Sequence, residues 1–125
     1  MRGATREGGQ ATLEVALCLP VIALVIAFLF EAGMLASDQT RLWHAAREGA
    51  RAAAVEDDPG AVRAAAERSG LKPLDIEVNP ASGRIIGEPV TVRVSYRPRA
   101  HLPLVGRILA GRTLRASATI RIEQP

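Results

Sequence analysis

The dominant feature of the hydrophobic pattern is a run without charge, Val15 to Phe30, reading VALCLPVIALVIAFLF. Glu31 interrupts it, and Ala32 to Ala36 are apolar or small again. Crossing a bilayer takes roughly 20 apolar residues, so the stretch to Ala36 predicts a membrane-spanning helix. Glu31 is then expected at the far interface, where a carboxylate reaches water. Residues 37–55 contain no Gly or Pro until Gly49, so the helix is expected to continue outward as a stem. From Gln10 to Val55 it would measure about 70 Å. Its outer part carries two rows of small residues, Ala45-Gly49-Ala53 and Ala46-Ala50-Ala54. Such rows let another backbone come close; the chain's own sheet is the favoured partner, and a neighbouring helix is the other.

Asp57-Asp58-Pro59 marks a stop and a restart. Asp58 suits an N-cap and Pro59 the first helical position. The second helix is expected over Ala61 to Arg68, ended by Gly70, with Val62, Ala65 and Ala66 facing inward. Three alternating segments follow. Leu74, Ile76 and Val78 form the apolar set of the first, Val90, Val92, Val94 and Tyr96 that of the second, and Leu114, Ala116, Ala118, Ile120 and Ile122 that of the third. Alternation at period two predicts half-buried strands. A three-stranded sheet with one apolar face needs a cover. The helix from Pro59, together with the outer part of the long helix, is the expected source. His101 to Arg112 (HLPLVGRILAGR) is too apolar for a freely solvated loop. It reads either as a short helix closing the domain or as an exposed contact patch for another subunit. The fold class is therefore α+β: a long N-terminal transmembrane helix extending into a small domain with one further helix and a three-stranded antiparallel sheet.

Ahead of the span stands MRGATREGG, followed by Gln10, Ala11, Thr12, Leu13 and Glu14. A secretory signal would place small residues for cleavage just after the apolar run, where Ala32-Gly33 and Ala36-Ser37 offer weak sites. A lipoprotein signal would place the cysteine after the run, whereas Cys18 lies near its start. A type IV prepilin signal explains more. Gly9, four residues, Glu14 and then a long hydrophobic helix resemble the type IV pilin pattern, with a cut between Gly9 and Gln10. A cut ahead of the apolar run leaves the helix attached to the product. Glu14 becomes the fifth residue of that product. A carboxylate at the edge of hydrocarbon is costly unless partnered, and the new amino terminus at Gln10 is a cation four residues away. The plainer account of Glu14 is an acid favoured in the first turn of a helix by its dipole. Pro20, inside the span, removes a backbone hydrogen bond and is expected to kink the helix.

Taken together, LEVALCLPVIALVIAFLFEAG and AAREGARAAAV resemble the TadE-like family, pseudopilins of tight-adherence pilus systems. The matching pieces are Glu14, Leu19-Pro20, Glu31-Ala32-Gly33, and the stem motif around Arg47, Glu48, Gly49 and Arg51. PVTVRVSYR, LPLVGRILAGRTLRASATIRIE and the closing Arg121-Ile122-Glu123 also fit. The region after Glu14 lacks the aromatic residue that some relatives carry there. The resemblance implies a leader (1–9), a transmembrane helix (10–36), a helical stem (37–56) and an extracytoplasmic domain (57–125). It implies a structural role as a minor pilin or pseudopilin, with Glu14 pairing with a neighbouring subunit's amino terminus. The implied partners are the membrane, other pilin subunits, a prepilin peptidase and the pilus assembly platform. The alternative is an uncleaved single-span adaptor of the secretion platform. Orientation, with the N terminus cytoplasmic, follows from the resemblance. The charges do not settle it, since Arg2 and Arg6 on one side face Arg41, Arg47 and Arg51 on the other.

Composition adds limits. At 125 residues with 3% aromatics, the part outside the membrane must build a thin aliphatic core. Cys18 is the only cysteine, so no internal disulfide forms. His44 and His101 lie far apart, and no His/Cys set has metal-ligand spacing. No Gly-rich phosphate loop follows a strand, and no nucleophile with a base stands out. Neither a cofactor nor an enzymatic activity is expected. The net charge is +3, and from Arg84 onward eight Arg face only Glu88 and Glu123. Four of those Arg fall on the expected solvent face of strands, and Tyr96 is the only aromatic there. Nucleic-acid binding is not expected from that pattern. Arg47 and Arg51 share a helix face and are expected to be solvated.

Overall fold

The computed structural model describes residues 4–109 and 111–123. Arg2 and the first three residues of the leader lie outside the described residues, as does residue 110 of the apolar loop. The first element, α1, is an α-helix over Ala4–Val55, 52 residues and about 78 Å long. It starts ahead of Gly9 and not at Gln10. Once a long helix is nucleated, each further residue costs little, and ATREGGQATLE contains no proline to stop it. The helix continues through Pro20.

Asp58 breaks the chain direction. It precedes a proline, which disfavours helical backbone, and it adopts an extended conformation (φ −98°, ψ 115°). Its carboxylate accepts a hydrogen bond from the Gly60 N–H at 2.9 Å and so caps α2, Pro59–Glu67. Val62, Ala65 and Ala66 are the buried residues of α2, as the spacing predicts. Gly70 supplies the positive φ (84°) that lets the chain leave the helix.

Three strands follow: β1 (Asp75–Asn79), β2 (Pro89–Tyr96) and β3 (Leu114–Arg121). They form an antiparallel sheet in the order β1-β2-β3. The register pairs Ile76 with Val94 and Val78 with Val92 on one side, and Val92 with Ala118 and Val94 with Ala116 on the other. Each apolar residue thus faces another across the ladder. The opposite face is polar. There Thr91 Oγ1 and Thr119 Oγ1 lie 2.8 Å apart, and Arg93 reaches Glu77 at 3.2 Å. That ion pair is exposed and contributes less than about 1 kcal/mol.

Of the two expected covers of the sheet, the outer part of α1 takes the larger share. The outer half of α1 lies across β2 and β3, and α2 packs mainly against α1. The reason is side-chain size. Ala45, Ala46, Ala50, Ala53 and Ala54 are buried, and so short a surface lets the helix backbone approach Val90, Val92 and Val94, all fully buried. Each of those valines contributes roughly 1.5–3 kcal/mol by leaving water. Val62 and Ala66 of α2 join the same core.

Two hydrogen bonds set the direction of the sheet along α1. Gln39 Nε2 donates to the Arg115 carbonyl at the start of β3, and the Glu123 N–H donates to the Ala54 carbonyl just beyond its end. β3 therefore runs outward beside α1, and β2 runs back toward the apolar half. Past Tyr96 the chain overshoots the sheet. Before returning, it forms a short helix, α3 (Val105–Leu109), which also packs on α1.

Candidate functional site

The two halves of α1 have opposite surroundings. From Leu13 to Phe30 its large apolar side chains, among them Leu17, Ile26 and Leu29, are exposed. From residue 31 outward, buried positions fall on one face: Glu31, Asp38 two turns on, and then Leu42, Ala45, Gly49 and Ala53 at steps of three or four. This is one stripe on one helix face. A folded monomer in water does not leave so large an apolar surface bare. Among the described residues α1 is the one helix long and apolar enough to cross a membrane, and none of its apolar window is buried in the fold.

At the inner end, Gly9 has open space around it, and Gln10 and Glu14 are exposed. Gln10 Nε2 donates to Glu14 Oε1 at 3.5 Å, one turn along the helix. Pro20 lies within the exposed run.

The stem motif divides by face. Arg47, Glu48 and Arg51 are exposed, while Gly49 is buried. A Cβ at Gly49 would stand 3.2 Å from Val92 Cγ1 and 3.7 Å from both Ala66 Cβ and Val62 Cγ1. Gly49 is therefore the point where α1, α2 and the sheet meet, with room for a methyl group at most.

Glu31 overturns its expectation. It does not reach water: it is 3% exposed. Its Oε1 accepts hydrogen bonds from the backbone N–H groups of His101, at 2.9 Å, and Leu102. His101 Nδ1 lies 3.8 Å from Oε2. A Cβ on Gly106 would stand 2.5 Å from Ala100 Cβ and 3.4 Å from Glu31 Oε1, so the loop closes over the carboxylate only because that residue is glycine. Of the two readings of the 101–112 segment, the short helix that closes the domain is the one the fold contains. Val105 and Gly106 are buried against the domain, while Leu104 and Ile108 point outward, 72% and 79% exposed.

Residues 9–51 match the family of TadE-like proteins. The match begins at the glycine of the candidate cut, takes in the whole apolar run and ends on the last residue of the stem motif. The TadE-like segment is therefore α1 from Gly9 almost to its end, including Glu31 and Gly49. α2, the sheet and α3 lie outside it. No curated protein and no solved structure matches the chain.

The structure does not gather the sequence-predicted positions into one place. Gly9, Gln10, Glu14 and Pro20 lie on the bare half of the TadE-like helix, and Arg47, Glu48, Gly49 and Arg51 lie on its stem. Two positions escaped the sequence reading. One is the Glu31 acceptor site, whose only trace was a lone acid in an apolar stretch. The other is Arg84, 7% exposed. Its Nη1 donates to the Ala53 and Glu56 carbonyls, both at 2.8 Å, and its Nε lies 3.3 Å from Asp57 Oδ1. It thus satisfies carbonyls that the end of α1 leaves without helical partners. No local pattern around Ser82-Gly83-Arg84 announces that role. Among the described residues no group of His, Cys, Asp or Glu converges on a metal position.

Proposed function

We propose that this chain is a membrane-anchored pseudopilin of a tight-adherence pilus or a related secretion machine. The observation that carries the reading is the coincidence of the TadE-like match, residues 9–51, with a helix whose inner half is bare and whose outer half is locked into a domain. In this reading the bare half crosses the membrane with its N terminus in the cytoplasm, and the domain stands outside.

A prepilin peptidase cuts between Gly9 and Gln10. The new ammonium at Gln10 and the carboxylate of Glu14 then mark the inner edge of the hydrocarbon, where an unpaired charge is costly. Glu14 of one subunit pairs with the amino terminus of the next, and bare helix surfaces pack together as the filament grows. On this reading Pro20 frees a backbone carbonyl in the inner part of the span and kinks the helix there. The exposed Arg47, Glu48 and Arg51 remain free to meet other pilin subunits or the assembly platform.

A second reading has its own support. α1 runs through Gly9 from Ala4 without a break, and a helical backbone is a poor protease substrate. On that reading the chain stays uncleaved and serves as a single-span adaptor of the secretion platform. Mass spectrometry of the N terminus, on protein recovered from its native membrane, separates the two. A chain starting at Gln10 supports the pseudopilin, and a chain that keeps its leader supports the adaptor.

A further inference from the structure

The outward side of α3, with Leu104 and Ile108, has no partner in the fold, although the same short helix shields a buried carboxylate on α1. We infer that α3 lies in the outer leaflet of the bilayer, with Leu104 and Ile108 inserted among the acyl chains and the neighbouring arginines on lipid phosphates. The inference rests on the reading of α1 as a membrane span.

Depth is the first argument. The uncharged run Val15 to Phe30 is about 24 Å long at helical rise, short of a hydrocarbon layer about 30 Å thick. With Glu14 at the inner interface, roughly 20 residues reach to Met34. Glu31 then falls inside the apolar layer, near its outer edge. A bare carboxylate there is expensive. This one is not bare: two backbone N–H groups and the His101 ring face it, and Gly106 covers it. A carboxylate at an aqueous surface needs no such lid.

The second argument is continuity. α3 packs on α1 where the bare, lipid-facing half of that helix ends. The outward face of the lid carries Leu104 and Ile108, the two most exposed large hydrophobic residues of the described chain. They extend the lipid-facing surface of α1 sideways.

Charge is the third. Arg97, Arg99 and Arg112 flank α3, Arg107 lies within it, all four are exposed, and no acid lies between Glu88 and Glu123. An apolar stripe bordered by arginines is the pattern of a segment lying in the interface, its cations at the level of the phosphates.

The test uses the full chain in vesicles of phosphatidylcholine and phosphatidylglycerol. Cys18→Ser removes the native thiol, and Ile108→Cys carries an environment-sensitive fluorophore. Ile26→Cys reports on the span and Asp75→Cys on the solvent face of the sheet. Ile108 and Asp75 make little contact with the core, so these variants are expected to keep the fold. We expect lipids brominated near the headgroup end of the acyl chains to quench the label at position 108, while the label at 75 stays unquenched. Quenching at 26 without quenching at 108 overturns the inference and leaves the span intact. No quenching at 26 by lipids brominated near the ends of the acyl chains overturns the span, and the inference with it. A label at 108 that is shielded from water, is insensitive to bromine and is released on dilution into excess lipid assigns this face to another copy of the chain, and also overturns the inference.

Discussion

Glu31 Oε1 accepts a hydrogen bond from the backbone N–H of His101 at 2.9 Å, across 70 residues of sequence. The bond ties the lowest point of the folded domain to the helix turn where the apolar run stops. A second tie, from the Glu123 N–H to the Ala54 carbonyl, fastens the far end of β3 to the top of the stem. With both ends held, the domain is fastened to α1 at the base and at the top of the stem.

Glu31→Ala leaves the buried N–H groups of His101 and Leu102 without an acceptor. The cost is about 2 kcal/mol, confined to the lid. Hydrogen exchange at those two amides is expected to accelerate, with the β2 amides unchanged. Unaltered protection at His101 and Leu102 would show that the lid is held by something else.

Gly49 admits no bulk. Gly49→Leu forces a side chain between Val92, Val62 and Ala66, and overpacking of this kind costs about 2 kcal/mol. For a domain of this size that lowers the melting temperature by roughly 10 °C. Gly49→Ala is expected to be nearly neutral, since its gain in helix propensity of roughly 1 kcal/mol offsets a tight contact with Val92. Thermal unfolding of both variants, followed by circular dichroism, compares the two.

Arg84 holds three oxygen partners around the end of α1. Arg84→Leu uncovers the Ala53 and Glu56 carbonyls and leaves Asp57 without its cation, a loss of about 3 kcal/mol. Arg84→Lys restores only part of it, because one ammonium lacks the planar fork that spans several acceptors. Denaturant midpoints of the three proteins should fall in the order Arg, Lys, Leu.

Glu14 is exposed and far from the domain, so Glu14→Ala leaves the melting temperature unchanged. Its predicted effect is on assembly alone: the variant accumulates in the membrane and is depleted from the pilus fraction. Equal partition of variant and native chain would remove Glu14 from the assembly step.

Much of this protein was legible without coordinates, for a shared reason. An uncharged run of helical length, an Asp-Pro restart and three stretches of alternating valine, alanine and isoleucine each state their conformation within a window of a few residues. The span, the stem, α2 and the three strands follow from those local patterns, and Gly9, Glu14 and the stem motif carried the family likeness that residues 9–51 match. Tertiary structure decided what depends on distance along the chain. It laid α1 across β2 and β3 and set α2 against α1, with the buried alanines of α1 facing three valines. It placed Arg84 on the last carbonyls of a helix that ends at Val55, and it folded residues 101–106 over Glu31. Hydrophobic periodicity records which way a residue faces. It holds no record of which distant N–H group will meet a carboxylate, and that meeting is what joins this domain to its span.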